Sequence, residues 1–163
     1  MKSEIKSNIP LNKKSLVENN IIFTYKHMDG FHRRGLKVNL EVDANFIFQM
    51  TLKSFENQLA TGTTFEFFLK GNLPTQIWNS IHYICSLKNL NKVLKHGYGK
   101  YMEDLPEGSF TFKSRNQIIQ TQILVIDTEE FQKRANPAEK ELIKLNKLIT
   151  LWIEDLYSTL IKK

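Results

Sequence analysis

A near-regular alternation of apolar and polar residues is the feature that most constrains the fold of this 163-residue chain. The apolar side chains occupy the even positions, namely Val38, Leu40, Val42, Ala44, Phe46, Phe48, Met50 and Leu52. A period of two places successive side chains on opposite faces of a half-buried β-strand. The run is longer than a typical strand, and Asp43-Ala44-Asn45 contains turn-forming residues. The segment therefore predicts two strands joined near residue 44.

Short segments rich in β-branched and aromatic residues recur elsewhere along the chain. Bounded by turn signals, they predict further strands at 20–28, 63–71, 77–87, 91–102, 109–114 and 118–127. In the segment 77–87, alternate positions are apolar, and the following segment 91–102 is expected to pair back against it as a hairpin. Many short, hairpin-connected strands are typical of a small antiparallel barrel or sandwich.

The last segment, 136–163, has a helical pattern. Asn136 suits the N-cap, Pro137 the first helical position and Glu139 the third, which together form a capping-box arrangement. One apolar stripe at helical spacing consists of Leu142, Leu145, Leu148, Ile149, Trp152, Leu156 and Leu160. Further apolar residues lie off the stripe, namely Ile143, Leu151, Tyr157 and Ile161. Either the helix packs into its own domain on a broad face, or these additional apolar residues contact a partner.

These elements predict a mainly β fold, a small antiparallel β-barrel followed by a long C-terminal α-helix. Closing the sheet would remove exposed strand edges. We divide the chain into a polar N-terminal lead-in over 1–20, a barrel domain over 21–130 and the C-terminal helix over 131–163.

Composition excludes several classes of protein. A single cysteine, Cys85, excludes an internal disulfide and favours a reducing compartment. No apolar run approaches the roughly 20 residues that span a bilayer, and the N-terminus lacks the apolar core of a signal peptide, so we expect a cytoplasmic protein without membrane contact. The net charge of +6 favours anionic partners. A basic stripe interleaved with aromatic residues is missing, which makes nucleic acid an improbable partner.

Candidate catalytic groups find no support in the sequence. None of the four histidines forms a metal-ligand pair with Cys85, and the predicted strand around this cysteine would bury an inert thiol. The adjacent acidic residues at 103–104 and 129–130 lack the opposed geometry of an acid–base pair. We therefore expect no enzymatic activity, no cofactor and no metal.

Arg33 and Arg34 stand directly before the alternating segment. Arginine presents a planar fork of donors that grips phosphate through paired hydrogen bonds and stacks on purine rings. The pair is either a solvated strand entry or a site for an anionic ligand. About 20 residues later, Asn57 and Gly62 precede the next predicted strand, where a glycine allows close backbone approach.

Two motifs in this region resemble those of the PilZ family, whose members carry RxxxR before one strand and [DN]xSxxG about 20 residues downstream. In "RRGLK" Arg33 matches the first arginine, and Lys37 replaces the second. In "NQLATG" Asn57 and Gly62 match, and Leu59 replaces the serine. The order of predicted strands over 31–105 is also similar to that of the family.

The resemblance implies a bacterial signalling protein that binds cyclic di-GMP without catalysis and changes shape or partner on binding. The implied ligand-binding residues are Arg33, Arg34, Lys37, Asn57 and Gly62. Because Lys37 lacks a guanidinium and Leu59 lacks a hydroxyl, the expected binding is weak. The alternative is a degenerate PilZ-like interaction module that binds no nucleotide and contacts an unknown protein through helix 137–163. Both hypotheses leave a homodimer open.

Overall fold

A seven-stranded sheet covered on one face by helices forms the core of the protein. The computed structural model describes residues 20–30, 35–54, 64–102 and 105–162. The strands are β1 (Ile21–Met28), β2 (Lys37–Asp43), β3 (Ile47–Ser54), β4 (Phe65–Asn72), β5 (Gly97–Tyr98), β6 (Glu107–Ser114) and β7 (Gln117–Ile123). The helices are α1 (Thr75–Ser86), α2 (Leu90–Val93), α3 (Thr128–Arg134) and α4 (Pro137–Ile161).

The strand order across the sheet is β4-β3-β2-β1-β6-β7-β5. Each neighbouring pair is antiparallel except β5 and β7, which run parallel over two residues. The prediction of a mainly β fold with a long C-terminal helix is confirmed. The sheet is not closed, and it resembles a barrel only loosely.

The two faces of the sheet differ in polarity because side chains alternate along each strand. One face is buried and forms the core with the helices; its central members are Phe23, Tyr25, Leu40, Leu52, Phe110 and Phe112. The other face, which we call the open face, carries mostly polar side chains such as Asn39, Gln49 and Gln120. An antiparallel sheet with one packed and one solvated face has this alternation. The alternation at 38–52 is thus confirmed as β2 and β3.

The segment 77–87, expected as a strand, lies in helix α1, and the strand prediction is wrong. Ile77, Ile81 and Ile84 recur at helical spacing and are buried against the core. Tyr83, which the alternation placed with the buried set, is exposed. The expected hairpin with 91–102 is also wrong, because that stretch contains the short helix α2 and the two-residue strand β5.

Helix α4 begins as the capping signals predict. The side-chain oxygen of Asn136 accepts a hydrogen bond from the Glu139 N–H at 3.0 Å, and the Glu139 carboxylate accepts one from the Asn136 N–H at 3.0 Å. A third hydrogen bond, from Asn136 Nδ2 to the carbonyl oxygen of Val93 at 2.8 Å, joins the start of α4 to α2. The capping box therefore fixes both where the helix starts and where it docks.

The surplus apolar residues of α4 divide between the core and solvent. Ile143 and Tyr157 are buried, whereas Leu151 is 58% exposed and Ile161 44% exposed. The Tyr157 hydroxyl is hydrogen-bonded to Ser54 Oγ of β3 at 2.9 Å, and Ser80 of α1 donates to Glu141 at 2.5 Å. Helix α4 is thus packed broadly into its own domain. Within the described ranges, no helix has both the length and the apolar character needed to cross a bilayer.

Candidate ligand-binding site

The base of the β1–β2 hairpin is fixed by the buried side chain of Asp29. The backbone N–H of Asp29 donates to the Leu36 carbonyl at 2.8 Å, and the Leu36 N–H donates to Asp29 Oδ2 at 3.0 Å. Asp29 Oδ1 lies 2.9 Å from Nε2 of His27. These contacts hold together the two ends of the connection that contains Arg33 and Arg34. Hydrogen bonds within the chain therefore fix the base of the hairpin.

The ends of β2 and β3 meet at the same edge of the sheet. Strand β2 begins at Lys37, which lies opposite Lys53 of β3. Strand β3 ends one residue later, at Ser54. Chain positions 31–34 precede this end of β2, and positions 55–63 follow this end of β3. Both segments that contain the predicted ligand-binding residues are consequently attached to the fold at neighbouring points.

Of the five predicted ligand-binding residues, the structure places one. Lys37 is exposed on the open face. The other four, Arg33, Arg34, Asn57 and Gly62, lie outside the described residues, as does Leu59.

Lys37 belongs to a row of side chains that crosses five strands at this end of the open face. The row, which we call the end row, consists of Glu66, Lys53, Lys37, Met28 and Glu107. Lys53 Nζ forms an ion pair with Glu66 at 2.9 Å. Lys37 and Lys53 lie directly opposite each other on neighbouring strands, which brings two cations together at this end of the open face. The end row therefore adds a fourth cation, Lys53, to the three in the predicted set.

Sequence reasoning missed Lys53, although a signal for it was present. The hairpin register pairs Lys37 with Lys53 only if it is counted outward from Asn45, whereas a centre at Ala44 would pair Lys37 with Thr51. In the sequence, Asp29-Gly30 indicates only a turn. The structural role of Asp29 can be recognised only from its contacts with Leu36 and His27, which a sequence pattern does not show.

A wide cleft lies at the opposite end of the sheet from the end row. It has a volume of about 1020 Å³ and is open to solvent between the start of β1, the β6–β7 turn and α1. Lys113 and Arg115 line it together with Cys85. Burial raises the pKa of the Cys85 thiol to about 11, so the thiol is protonated at neutral pH. The expectation of an unreactive thiol is supported, although Cys85 lies on a helix and not on a strand.

Histidines and acidic residues in the described part of the chain form no cluster able to hold a metal ion. His27 contacts Asp29, His96 Nδ1 lies 3.2 Å from the carbonyl oxygen of Gln120, and the His82 ring lies 5.8 Å from Trp78. Each of these three histidines therefore has a local structural contact. His82 is on α1 and not on a strand as expected.

Comparison with known proteins yields no assignment: no protein-family model matches the sequence, and no curated protein is significantly similar to it.

Proposed function

We propose that this protein is a non-catalytic receptor for a phosphate-bearing nucleotide, and that the ligand binds at the end row. Cyclic di-GMP is the ligand that the resemblance to the PilZ family implies. One observation supports the proposal above the others. Lys37 at the start of β2 and Ser54 at the end of β3 are neighbours, so the connections bearing Arg33, Arg34, Asn57 and Gly62 are attached at one place.

The chemistry of the site follows from its cations. Arg33 and Arg34 offer forked donors to phosphate oxygens and to guanine, whereas Lys37 and Lys53 supply point charges. Asn57 can read a base edge, and Gly62 permits close approach of the backbone. The open face of the sheet is the platform beneath the ligand. Binding then changes the shape of the protein or its choice of partner, and this change is the signal.

The affinity is expected to be weak for two reasons. Lys37 cannot form the planar, bidentate contact of the arginine it replaces, and Leu59 cannot donate the hydrogen bond of a serine. The bacterial cytoplasm, as the place of action, is part of the same proposal. It is supported by the PilZ resemblance and by the presence of a single cysteine in the chain, which cannot form an internal disulfide.

Calorimetric titration with cyclic di-GMP, beside a linear diguanylate control, tests the proposal. A hydrogen bond from a charged group contributes about 1.5–3 kcal/mol, so Arg33→Ala should weaken binding by about one to two decades. Lys37→Ala should weaken binding, whereas Lys147→Ala, on the exposed side of α4, should leave it unchanged. Leu59→Ser combined with Lys37→Arg should strengthen binding.

Two results would refute the nucleotide site. The first is the absence of heat and of chemical-shift changes at high micromolar ligand in both the wild type and the Leu59→Ser, Lys37→Arg variant. The second is equal weakening by Lys37→Ala and Lys147→Ala, which would indicate non-specific attraction to a basic protein.

The alternative, a protein contact through α4, has less support. The outward-facing Leu151 lies among charged neighbours such as Lys147 and Asp155, and Ile143 and Tyr157 are already used in the core. An exposed helix face that binds a partner usually presents several apolar anchors at successive turns. If the nucleotide titrations show no binding, this alternative becomes the leading hypothesis.

A further inference from the structure

Strand β4 forms one edge of the sheet. Its eight residues, Phe65–Asn72, pair with β3 along their whole length, and within the described ranges no other strand pairs with β4. The opposite edge is different, because β5 contributes only two paired residues. A short edge strand offers few free backbone groups, whereas an eight-residue edge presents a row of unpaired N–H and C=O groups. Within the described ranges, β4 is thus the longer and more regular edge, since at the opposite edge only Gln122 and Ile123 of β7 pair with β5.

The sequence of β4 lacks two of the usual devices that block pairing between edges, a proline and a bulge. It contains no proline, and its register with β3 runs from Ser54↔Phe65 to Ile47↔Asn72 without a bulge. Phe68 is 72% exposed on the open face. Phe65 is also exposed, and Phe67 and Leu69 are only partly buried. A long, regular and apolar edge of this kind is a site for strand addition.

The charges of β4 select a second copy of the same strand as the partner. Glu66 and Lys70 lie on the open face, two positions before and two positions after Phe68. In an antiparallel pair with Phe68 opposite its own copy, Glu66 of each chain faces Lys70 of the other. On the other face, Phe67 of each chain faces Leu69 of the other. Each contact therefore occurs twice, once from each chain, as an interface with two-fold symmetry requires.

Neighbouring registers lose this complementarity. A pairing centred on Phe67 places Glu66 opposite Phe68 of the other chain, and a pairing centred on Leu69 places Glu66 opposite Asn72. In neither register does Glu66 face Lys70. Opposite charges directly across two strands stabilise the pair, and aromatic residues across from each other add to it. The register centred on Phe68 is therefore the favoured one.

We propose that the protein forms a homodimer through antiparallel pairing of β4 with β4 of a second copy, centred on Phe68. The two sheets join into one continuous sheet, with both open faces on one side and all the helices on the other. Glu66, already paired with Lys53 at 2.9 Å, then lies between this lysine and Lys70 of the second copy. This inference does not depend on nucleotide binding.

Sedimentation equilibrium over a range of protein concentrations tests the dimer. An interface built on one strand is small, so we expect a dissociation constant of roughly 1–50 µM. Lys70→Glu places two glutamates opposite each other twice in the dimer, which should raise the dissociation constant at least about tenfold. Glu66→Lys should do the same. The double variant Glu66→Lys, Lys70→Glu restores both cross-strand pairs and should recover dimerisation.

Lys147→Glu is the matched control, because it makes the same charge change on α4, away from the β4 edge. Denaturant unfolding of each variant below the dissociation constant shows whether the monomer is folded. Hydrogen exchange of the wild type gives an independent measurement, since the outward-facing β4 amides should become protected as concentration rises. A wild type that stays monomeric at roughly 200 µM would overturn the proposal. So would a dimer in which folded Lys70→Glu associates as tightly as the wild type.

Discussion

Replacing Asn136 with alanine should destabilise the protein by removing two hydrogen bonds at the start of α4. The side-chain oxygen accepts from the Glu139 N–H at 3.0 Å, and Nδ2 donates to the Val93 carbonyl at 2.8 Å. Loss of an N-cap costs about 0.5–2 kcal/mol, and loss of a neutral hydrogen bond costs about 0.5–1.5 kcal/mol. We therefore expect Asn136→Ala to lower the free energy of unfolding by about 2 kcal/mol.

Asn136→Asp separates the two contributions. A carboxylate is an equally good N-cap and favours the positive end of the helix dipole. It cannot donate to the Val93 carbonyl, so the contact with α2 is lost. The free energy of unfolding of the aspartate variant should then be about 1 kcal/mol lower than that of the wild type and about 1 kcal/mol higher than that of the alanine variant. Asn91→Ala, at an exposed position of α2, is the control and should stay within about 0.5 kcal/mol of the wild type.

Urea unfolding followed by circular dichroism, at equal protein concentration, measures these differences as shifts of the midpoint at constant slope. The reasoning is refuted if Asn136→Ala unfolds within about 0.5 kcal/mol of the wild type. An aspartate variant as stable as the wild type would show that the cap alone matters. In that case the Val93 contact does not hold α4 against α2.

Three further outcomes follow from buried polar groups. Thr121 Oγ1 is buried without a hydrogen-bond partner among the described residues, so Thr121→Val should stabilise the protein by about 1 kcal/mol in urea unfolding; a loss of stability would mean that the hydroxyl is satisfied. Burial raises the pKa of Tyr25 and of Tyr98 from 10.0 to about 12. The neutral forms of both tyrosines, and of Cys85 with its raised pKa, are favoured in the folded state, so stability should be constant from about pH 7 to 8, fall as the pH rises from about 9 to 12, and fall less steeply in Tyr98→Phe. With its pKa raised from 9.0 to about 11, Cys85 should react with an aromatic disulfide reagent at pH 8 roughly 100-fold more slowly in the folded than in the unfolded protein. Equal rates would contradict its burial.

The elements that could be predicted from the sequence are those whose signals are local. The alternation at 38–52 fixes which side chains of β2 and β3 face the core, because a shift of one residue would expose the whole apolar set. The start of α4 was predictable for the same reason. The side chains of Asn136 and Glu139 accept hydrogen bonds from each other's backbone N–H, and Pro137 has no N–H to satisfy, so the helix start needs no distant residue.

The segment 77–87 could not be assigned by pattern alone. Its apolar residues fit a strand if Ile81, Tyr83 and Cys85 are counted, and a helix if Ile77, Ile81 and Ile84 are counted. Short apolar runs are ambiguous in this way, and tertiary packing decides between the two. In this fold, α1 and α4 both pack against the apolar face of the sheet and bury it.

Closure of the sheet was also beyond the sequence. Whether β4 meets the far edge depends on the twist and the stagger of seven strands, which are long-range properties. At the candidate site, only Lys37 could be compared with the structure, and its neighbour Lys53 required the register of the hairpin. The roles of Arg33, Arg34, Asn57 and Gly62 remain predictions.

The central position of β1 has a consequence for synthesis of the chain. β1 pairs with β2 directly after it in sequence, but its other edge pairs with β6, whose residues follow roughly 80 to 90 positions later. At about 5–20 residues per second, a ribosome needs about 4–18 s to complete that second partner. During this time the nascent β1–β4 meander has two unpaired edges, and its apolar face awaits α4. Association of nascent chains during translation, before the C-terminal half has emerged, is therefore the stage at which this fold is most exposed to aggregation.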